Sequence, residues 1–333
     1  MHRVNSKQSK RYFVTSSKIE KVYQVAISRK PIETIDLRRL SNLNPYKSLL
    51  VLFVEWLLII SAIVLHLYFS NPAIYLIAWI IIGTRMYALY SLLHDGLHYL
   101  LFPNRKVNDI ICKVFLAWPL FISFATMRNN HLAHHKFLKT PADPEAVHLN
   151  YSEFKFPQPK RELALTFFKD ICGINFIFYK AKKIRSFIGG QKQLSTNGIP
   201  AGRHENQIYP VIYYSVILFS VFYLGWVNDF ILYWLVPYIT LYQVLNRVRL
   251  SAEHFNLGSE DKFLTRTMKL SKLESFLMSP HNLGYHTEHH LYPSVPFYHL
   301  TELHQKLMVD DEYRRNISIQ TSYINLLKKY ITA

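Results

Sequence analysis

The placement of apolar residues between widely spaced cations constrains this chain more than any other feature. No Lys or Arg occurs between Lys47 and Arg85, and none between Arg203 and Arg247. Two apolar runs begin in each cation-free window, residues 48–70 and 73–93 in the first, 208–226 and 230–248 in the second, and the later run of each pair reaches past the window's closing arginine, Arg85 or Arg247. At a helical rise of about 1.5 Å per residue, runs of this length cover a hydrocarbon core of about 30 Å. Within each window only a short turn separates the runs, Asn71-Pro72 in one and Val227-Asn228-Asp229 in the other. Both turns have the residue chemistry of chain reversal. The expected architecture is therefore an all-α integral membrane protein, with four transmembrane helices in two hairpins.

The same windows predict an orientation. Both hairpin turns lack positive charge, so the positive-inside rule places both termini and the central segment in the cytosol. The chain carries 39 Lys and Arg against 22 Asp and Glu, a formal charge of +17. On a multi-pass chain that excess suits anionic lipid rather than nucleic acid. Two cysteines exclude a disulfide scaffold or a Cys-based zinc array. The segment before Lys47 is polar and basic, and no signal-peptide pattern precedes the first run. Three parts follow: a basic cytosolic segment (1–47), a membrane domain (48–305) and a cytosolic tail (306–333). Two weaker apolar stretches, 107–124 with its Trp118-Pro119 break and 163–179, read as helices lying in the interface. Glu55 and Arg85 each fall seven or eight residues inside a run, on antiparallel neighbours. Both sit about 10–12 Å deep at helical rise, so they are expected to pair. Arg247, near the end of the fourth run, is expected to snorkel to the interface without a partner.

Sixteen histidines occur, and nine of them are patterned. His94 and His98 form H-D-G-L-H, His131, His134 and His135 form H-L-A-H-H, and His286, His289 and His290 form H-T-E-H-H. His254 stands apart in S-A-E-H-F. Spacings of three and four put side chains on one helix face, so each box reads as a bidentate claw for a metal. The first box lies at the cytosolic end of the second run and His254 about two turns past the end of the fourth. All nine can then meet in one plane, held by a cytosolic helical cap, provided 107–124 does not cross the membrane. A single zinc takes four ligands, so nine imidazoles suit two ions. Imidazole alone is compatible with iron, copper, zinc or nickel. The nearby acids Asp95, Asp143, Glu253 and Glu288 are expected to accept ring N–H bonds from the ligands. The remaining histidines are assigned to surface or packing. A metal transporter would bind its ion near mid-membrane, where only His66 lies, so an enzyme is the stronger reading.

These residues resemble the membrane fatty acid desaturase and hydroxylase superfamily, with its pattern HxxxH, HxxHH and HxxHH around two hydrophobic hairpins. The phrases LLFPNRKVND, VRLSAEHF and NLGYHTEHHLYPSVPFYHL carry the likeness further. The resemblance implies a non-haem enzyme with two iron ions, held by the nine histidines, and O2 as co-substrate. It implies an acyl-lipid substrate and a separate electron donor of ferredoxin or cytochrome b type, because the His-Pro-Gly-Gly signature of haem fusions is absent. The first expectation is a fatty acyl-lipid desaturase; a hydroxylase, or a desaturase of a carotenoid, sterol or sphingoid base, stays open. Stearoyl-type relatives place an Asn four residues before the isolated His. Here that position is Leu250, and Asn282, four before His286, is the candidate substitute.

Overall fold

The computed structural model describes residues 34–140, 142–145, 154–188, 205–257 and 261–332. Most of the basic N-terminal segment, with His2, His148 and His204, lies outside these. A short helix α1 (Thr34–Leu40) leads into α2 (Pro45–Phe69) and α3 (Pro72–Leu97). Each long helix opens on an Asn-Pro pair. Asn44 and Asn71 accept N–H bonds from Lys47 and Ala73, and the proline sits in the first turn where its missing N–H costs nothing. Ser70 takes a left-handed conformation (φ 48°) to reverse the chain. Among the described residues these are the two single helices long and apolar enough to cross a bilayer, and the bent pair Arg105–Leu120 with Phe124–Phe137 makes a third candidate if it counts as one span.

The expected Glu55–Arg85 pair is present. Arg85 Nη1 lies 3.2 Å from Glu55 Oε2, with both side chains almost fully buried. Arg85 also donates to the Phe276 carbonyl and covers the Phe276 ring at 3.7 Å. His281 Nε2 lies 3.1 Å from the second Glu55 oxygen. Breaking such a pair strands a buried charge, at a cost of about 3–5 kcal/mol. Arg85→Met should therefore lower thermal stability in nanodiscs sharply, while the double variant Glu55→Leu/Arg85→Met recovers most of it. A single variant as stable as the parent would contradict this account.

The third and fourth runs depart from expectation. The third forms α8 (Ile208–Tyr223), 16 residues long, about 24 Å at helical rise and short of a full crossing. It ends at Gly225 (φ 71°), where Trp226 N–H bonds Val221 O and Gly225 N–H bonds Phe222 O. The paired bonds form a helix-ending motif that needs a left-handed residue. The reversal thus lies at Leu224–Trp226, and Val227-Asn228-Asp229 already begins α9 (Val227–Phe230). The fourth run is not one helix. After α9 it passes through a π turn (Ile231–Leu235), α10 (Val236–Ile239) and a break at Thr240 before α11 (Leu241–Glu253). Pro237 lacks an N–H and its ring crowds the preceding turn, which forces the wider π spacing. Side chains take up freed backbone groups: Tyr75 donates to Leu232 O and Gln243 to Tyr238 O.

Pro119 has the same effect earlier in the chain. Helix α4 (Arg105–Ile111) widens into a π turn (Cys112–Ala117) and a 3-10 turn (Trp118–Leu120). Trp56 Nε1 then donates to Phe115 O, and Tyr214 OH to Trp118 O. The chain bends by 97° into α5 (Phe124–Phe137). Next come α6 (Lys160–Ile171) and α7 (Ile174–Ile188). Arg247 is not unpartnered: its Nε and Nη2 both bond Asp170 of α6. Beyond α11 lie α12 (Lys272–Met278), α13 (His286–Leu291), α14 (Leu300–Leu307), α15 (Asp311–Asn316) and α16 (Tyr323–Lys329). Four two- or three-residue strands tie these together in parallel pairs, β1 (Gln158–Pro159) with β4 (Ile331–Thr332) and β2 (Arg266–Met268) with β3 (Ser318–Gln320). Residues 306–332 pack closely, with Leu307, Tyr313, Tyr323, Leu326 and Tyr330 all buried. The main core gathers around α3 and is lined by α2, the α4 segment and α11.

Candidate metal centre

Four separate elements aim imidazoles at one region. α3 continues one turn beyond its expected end, so His94 remains helical and His98 caps it. α5 supplies His131, His134 and His135, α13 supplies His286, His289 and His290, and His254 caps α11. The nine rings converge as two abutting groups. The first contains His98, His131, His135 and His289, and the second His134, His254, His286 and His290. His94 flanks the first group, with ring centroids 4.3 Å from His131 and 4.4 Å from His289. The groups abut where His135 stacks on His290 at 4.1 Å.

The boxes do not act as separate claws. His131 and His135 enter the first group while His134 enters the second; His286 and His290 enter the second while His289 enters the first. Helical periodicity explains the exchange. At about 100° per residue, positions i and i+4 nearly eclipse, whereas i+3 and i+4 diverge by about 100°. Each HxxHH box therefore spans both groups, and the two boxes interlock.

The edges of the groups fit a bound cation. Within the first, His131 Nε2 lies 2.8 Å from His98 Nε2 and 3.1 Å from His135 Nε2, and His135 Nε2 lies 3.1 Å from His289 Nε2. Within the second, His254 Nε2 lies 3.1 Å from His134 Nε2 and 2.8 Å from His286 Nε2. Protons alone cannot satisfy a ring of facing nitrogens, because one Nε2 cannot donate and accept at once. Metal–imidazole bonds of about 2.0–2.1 Å at right angles give nitrogen spacings of about 3 Å. His94 Nε2 is buried with no partner among the described residues. Burial, reinforced by neighbouring rings and cations, holds His254, His286, His289 and His290 well below the ordinary imidazole range. Each ring is thus neutral and keeps one unprotonated nitrogen that can meet a metal.

The expected supporting acids divide. Asp143 accepts from His134 Nδ1 at 2.9 Å, the bond anticipated for it, and is itself fixed by the Lys139 and Glu145 N–H groups. Glu253 lies 3.6 Å from His286 Nδ1, beyond hydrogen-bond length, and instead accepts from Arg249 at 2.6 Å. Burial pushes its carboxyl up to about 7, against the pull of Arg249. Asp95 accepts the Phe297 N–H at 2.7 Å, although one of its oxygens also lies near His94 and His289. Glu288 meets no cage ring. It is fully buried and accepts from His304 Nδ1 (2.5 Å), Tyr313 OH (2.7 Å) and Thr267 OH (2.7 Å). It anchors the cage helix α13 to β2, α14 and α15 at once. Asn282 does not replace the missing Asn: its amide donates to Phe297 O at 2.9 Å.

Sequence reasoning missed His304, Tyr313, Thr267 and Arg249. The Arg249–Glu253 pair was legible as an i,i+4 spacing. The other three come from distant segments and have no local signal. His281 belongs to the Glu55 cluster, and His66 bonds Tyr233 OH at 2.6 Å.

Two interlocked histidine groups drawn from α3, α5, α11 and α13 are the arrangement of a histidine-box oxidoreductase. Within that class, the chain belongs to the fatty acid desaturase family, whose model matches residues 70–322. It is 30% identical over 257 residues to the dihydrorhizobitoxine desaturase of Bradyrhizobium elkanii, covering 73% of this chain and 70% of that one. It is 22% identical to a chloroplastic omega-3 fatty acid desaturase of Glycine max and 23% to a chloroplastic sn-2 acyl-lipid omega-3 desaturase (ferredoxin) of Helianthus annuus. Each of these two alignments covers 78% of this chain but only 60% and 61% of the relative's length.

Proposed function

We propose that this protein is a multi-pass membrane desaturase of fatty acyl lipids, with residues 48–305 as its catalytic domain and two iron ions held by the nine histidines. The observation that carries the reading is the division of the rings, four and four with His94 beside the first group. Bound iron with O2 supplies the oxidising power that an unactivated alkyl C–H bond requires and that acid–base chemistry alone lacks. The protein's own part is to hold the ligands and keep water out. His134 is oriented through Asp143, and α13 through Glu288. Nearly all cage rings are buried, which protects a reactive centre from solvent.

Membrane placement is supported by the outward faces of α2 and α8. Leu50, Phe53, Ile60 and Val64 on one, and Val211, Val216, Phe219 and Phe222 on the other, are each more than half exposed. Apolar faces of this extent are otherwise costly in water. The contact between His98 and His131 supports a shared side of the bilayer for the first two boxes, and the charge rule favours the cytosol for that side. Electrons come from a separate donor of ferredoxin or cytochrome b type; the Helianthus annuus relative is named for ferredoxin. Lipid profiling of cells expressing the protein, against a His98→Ala control, tests the function. A new double bond that disappears in the control is expected. A new hydroxyl would reassign the reaction, and an unchanged lipid profile would reject the acyl-lipid substrate.

A further inference from the structure

A file of aromatic rings leads away from the cage. Tyr87, Tyr90 and His94 follow one another along α3 at spacings of three and four, so they share one helix face. Tyr90 stacks on Tyr87 with ring centroids 5.9 Å apart, and Tyr242 of α11 meets the two at 6.4 and 6.2 Å. Across the Thr240 break, Tyr242 stacks on Tyr238 of α10 at 5.1 Å. Phe121 then stands between two phenols, 5.2 Å from Tyr238 and 5.9 Å from Tyr214. Tyr214 donates to the Trp118 carbonyl, and its neighbour Tyr213 lies 5.2 Å from the Trp118 ring. Every ring-to-ring step falls within the about 4.5–7 Å of aromatic contact.

Packing alone does not call for phenols here. Phenylalanine fills nearly the same volume without burying a hydroxyl. Tyr87 OH is fully buried and has no partner among the described residues. An unmet buried group costs free energy and calls for a role, redox chemistry among them. Tyrosine and tryptophan, unlike phenylalanine, give up single electrons to a strong oxidant, provided that a proton acceptor is at hand. Tyr90, Tyr238 and Tyr242 line a cavity of about 970 Å³ together with His131 of the cage, and water there can take a phenolic proton. Tyr90 OH accepts from Arg249 at 2.8 Å, which leaves its own proton free for that water. At the far end Trp118 Nε1 donates to the Glu205 carboxylate at 3.3 Å, a base for the indole proton.

We propose that these rings drain oxidising equivalents from the cage to Trp118 when O2 or peroxide is reduced with no substrate bond in place. The proposal rests on the two-iron reading for its oxidant. An oxidising equivalent at the centre takes one electron from Tyr90, whose phenolic proton passes to cavity water. Tyr242, Tyr238 and Tyr214 are oxidised in order, each restoring the ring before it and losing a proton as it does so. Trp118 is oxidised last, gives its proton to Glu205, and is restored by a soluble one-electron reductant such as ascorbate. Two such passages supply the two electrons, and the medium the two protons, that turn one hydrogen peroxide into two waters. The groups spared are the imidazoles, which stand closest to the oxidant and would otherwise be attacked.

The test uses the full-length protein in nanodiscs, in two arms. In the first, iron-loaded protein is treated with hydrogen peroxide and no reductant. Freeze-quench electron paramagnetic resonance should show a tyrosyl radical, and peptide mass spectrometry should find oxygen added at Trp118 rather than at the cage histidines. Tyr238→Phe/Tyr242→Phe keeps the rings and removes the phenols. It should bind the same iron, lose the Trp118 oxidation and gain oxidation of the histidines. Tyr223→Phe, an exposed ring off the path, should change neither. The second arm needs no iron. A ruthenium photo-oxidant is attached to Cys172, which is exposed while Cys112 is buried. The next residue, Gly173, packs against Ile239, the neighbour of Tyr238. Flash oxidation should give a tyrosyl radical and oxidised Trp118 in the parent, and no oxidised Trp118 in the double variant. Equal Trp118 oxidation in parent and double variant in either arm, or no tyrosyl radical after the flash, would overturn the proposal. A radical after the flash but none with peroxide would sustain the path and count against the iron reading instead.

Discussion

His134→Ala should reduce bound iron from two ions per chain toward one and lower turnover more than about 100-fold. His134 is one of four rings in the second group, and its Nε2 lies 3.1 Å from His254 Nε2. Loss of a mere supporting contact costs about 10–100-fold in metal affinity, so loss of a ligand costs more. The first group draws nothing from His134 and should keep its ion. The Asp143 carboxylate would lose its imidazole but retain the Lys139 and Glu145 N–H bonds, so the local fold should survive. His66→Ala, whose ring bonds Tyr233 away from the cage, is the matching control and should keep both ions. Metal analysis with single-turnover assays reads both quantities. Full iron content and full activity in His134→Ala would remove this residue from the centre.

Glu288→Ala should be the most damaging substitution outside the cage rings. The carboxylate takes three donors, from His304, Tyr313 and Thr267, in a fully buried setting. Alanine leaves all three unmet at about 1–3 kcal/mol each, a large share of the stability of an ordinary domain. It also frees α13, which carries one ring of the first group and two of the second. Both ions should therefore be lost together, unlike the single loss in His134→Ala. Glu288→Gln should be much milder. Its oxygen still accepts from His304 and Tyr313, and the Thr267 hydroxyl can rotate to accept from the new amide. Thermal unfolding and iron content of the two variants separate hydrogen bonding from shape. Equal behaviour of Gln and Ala would show that the network does not hold the helix.

The parts of this fold that were legible in the amino-acid order are those governed by short-range rules. The Asn71-Pro72 turn, two long apolar runs and two ionisable residues at matched depth predicted the first hairpin and its Glu55–Arg85 pair. The histidine spacings marked the rings that converge. What stayed hidden depends on backbone adjustments or on distant partners. Pro237 turns the fourth apolar run into a π turn, a short helix and a break, which hydropathy alone does not register. Gly225 moves the second reversal earlier than the Asn-Asp pair suggests. The role of Glu288 was misassigned because the nearest imidazoles in sequence belong to the cage, whereas its actual partners lie up to 25 residues away. The exchange of rings between the boxes follows from helical angle, yet only the packing of α5 against α13 reveals which ring serves which group.

The interlocking has a consequence for biosynthesis. Both groups need residues of α13, so neither can be completed until the ribosome has passed residue 290. Tyr330, whose hydroxyl bonds Ser251 O and Arg266 behind the His254 segment, is made later still. On the two-iron proposal, ion loading is thus a late event on the nascent chain. A polypeptide stalled before residue 286 would carry the apolar helices and six of the nine cage imidazoles, but could complete neither group.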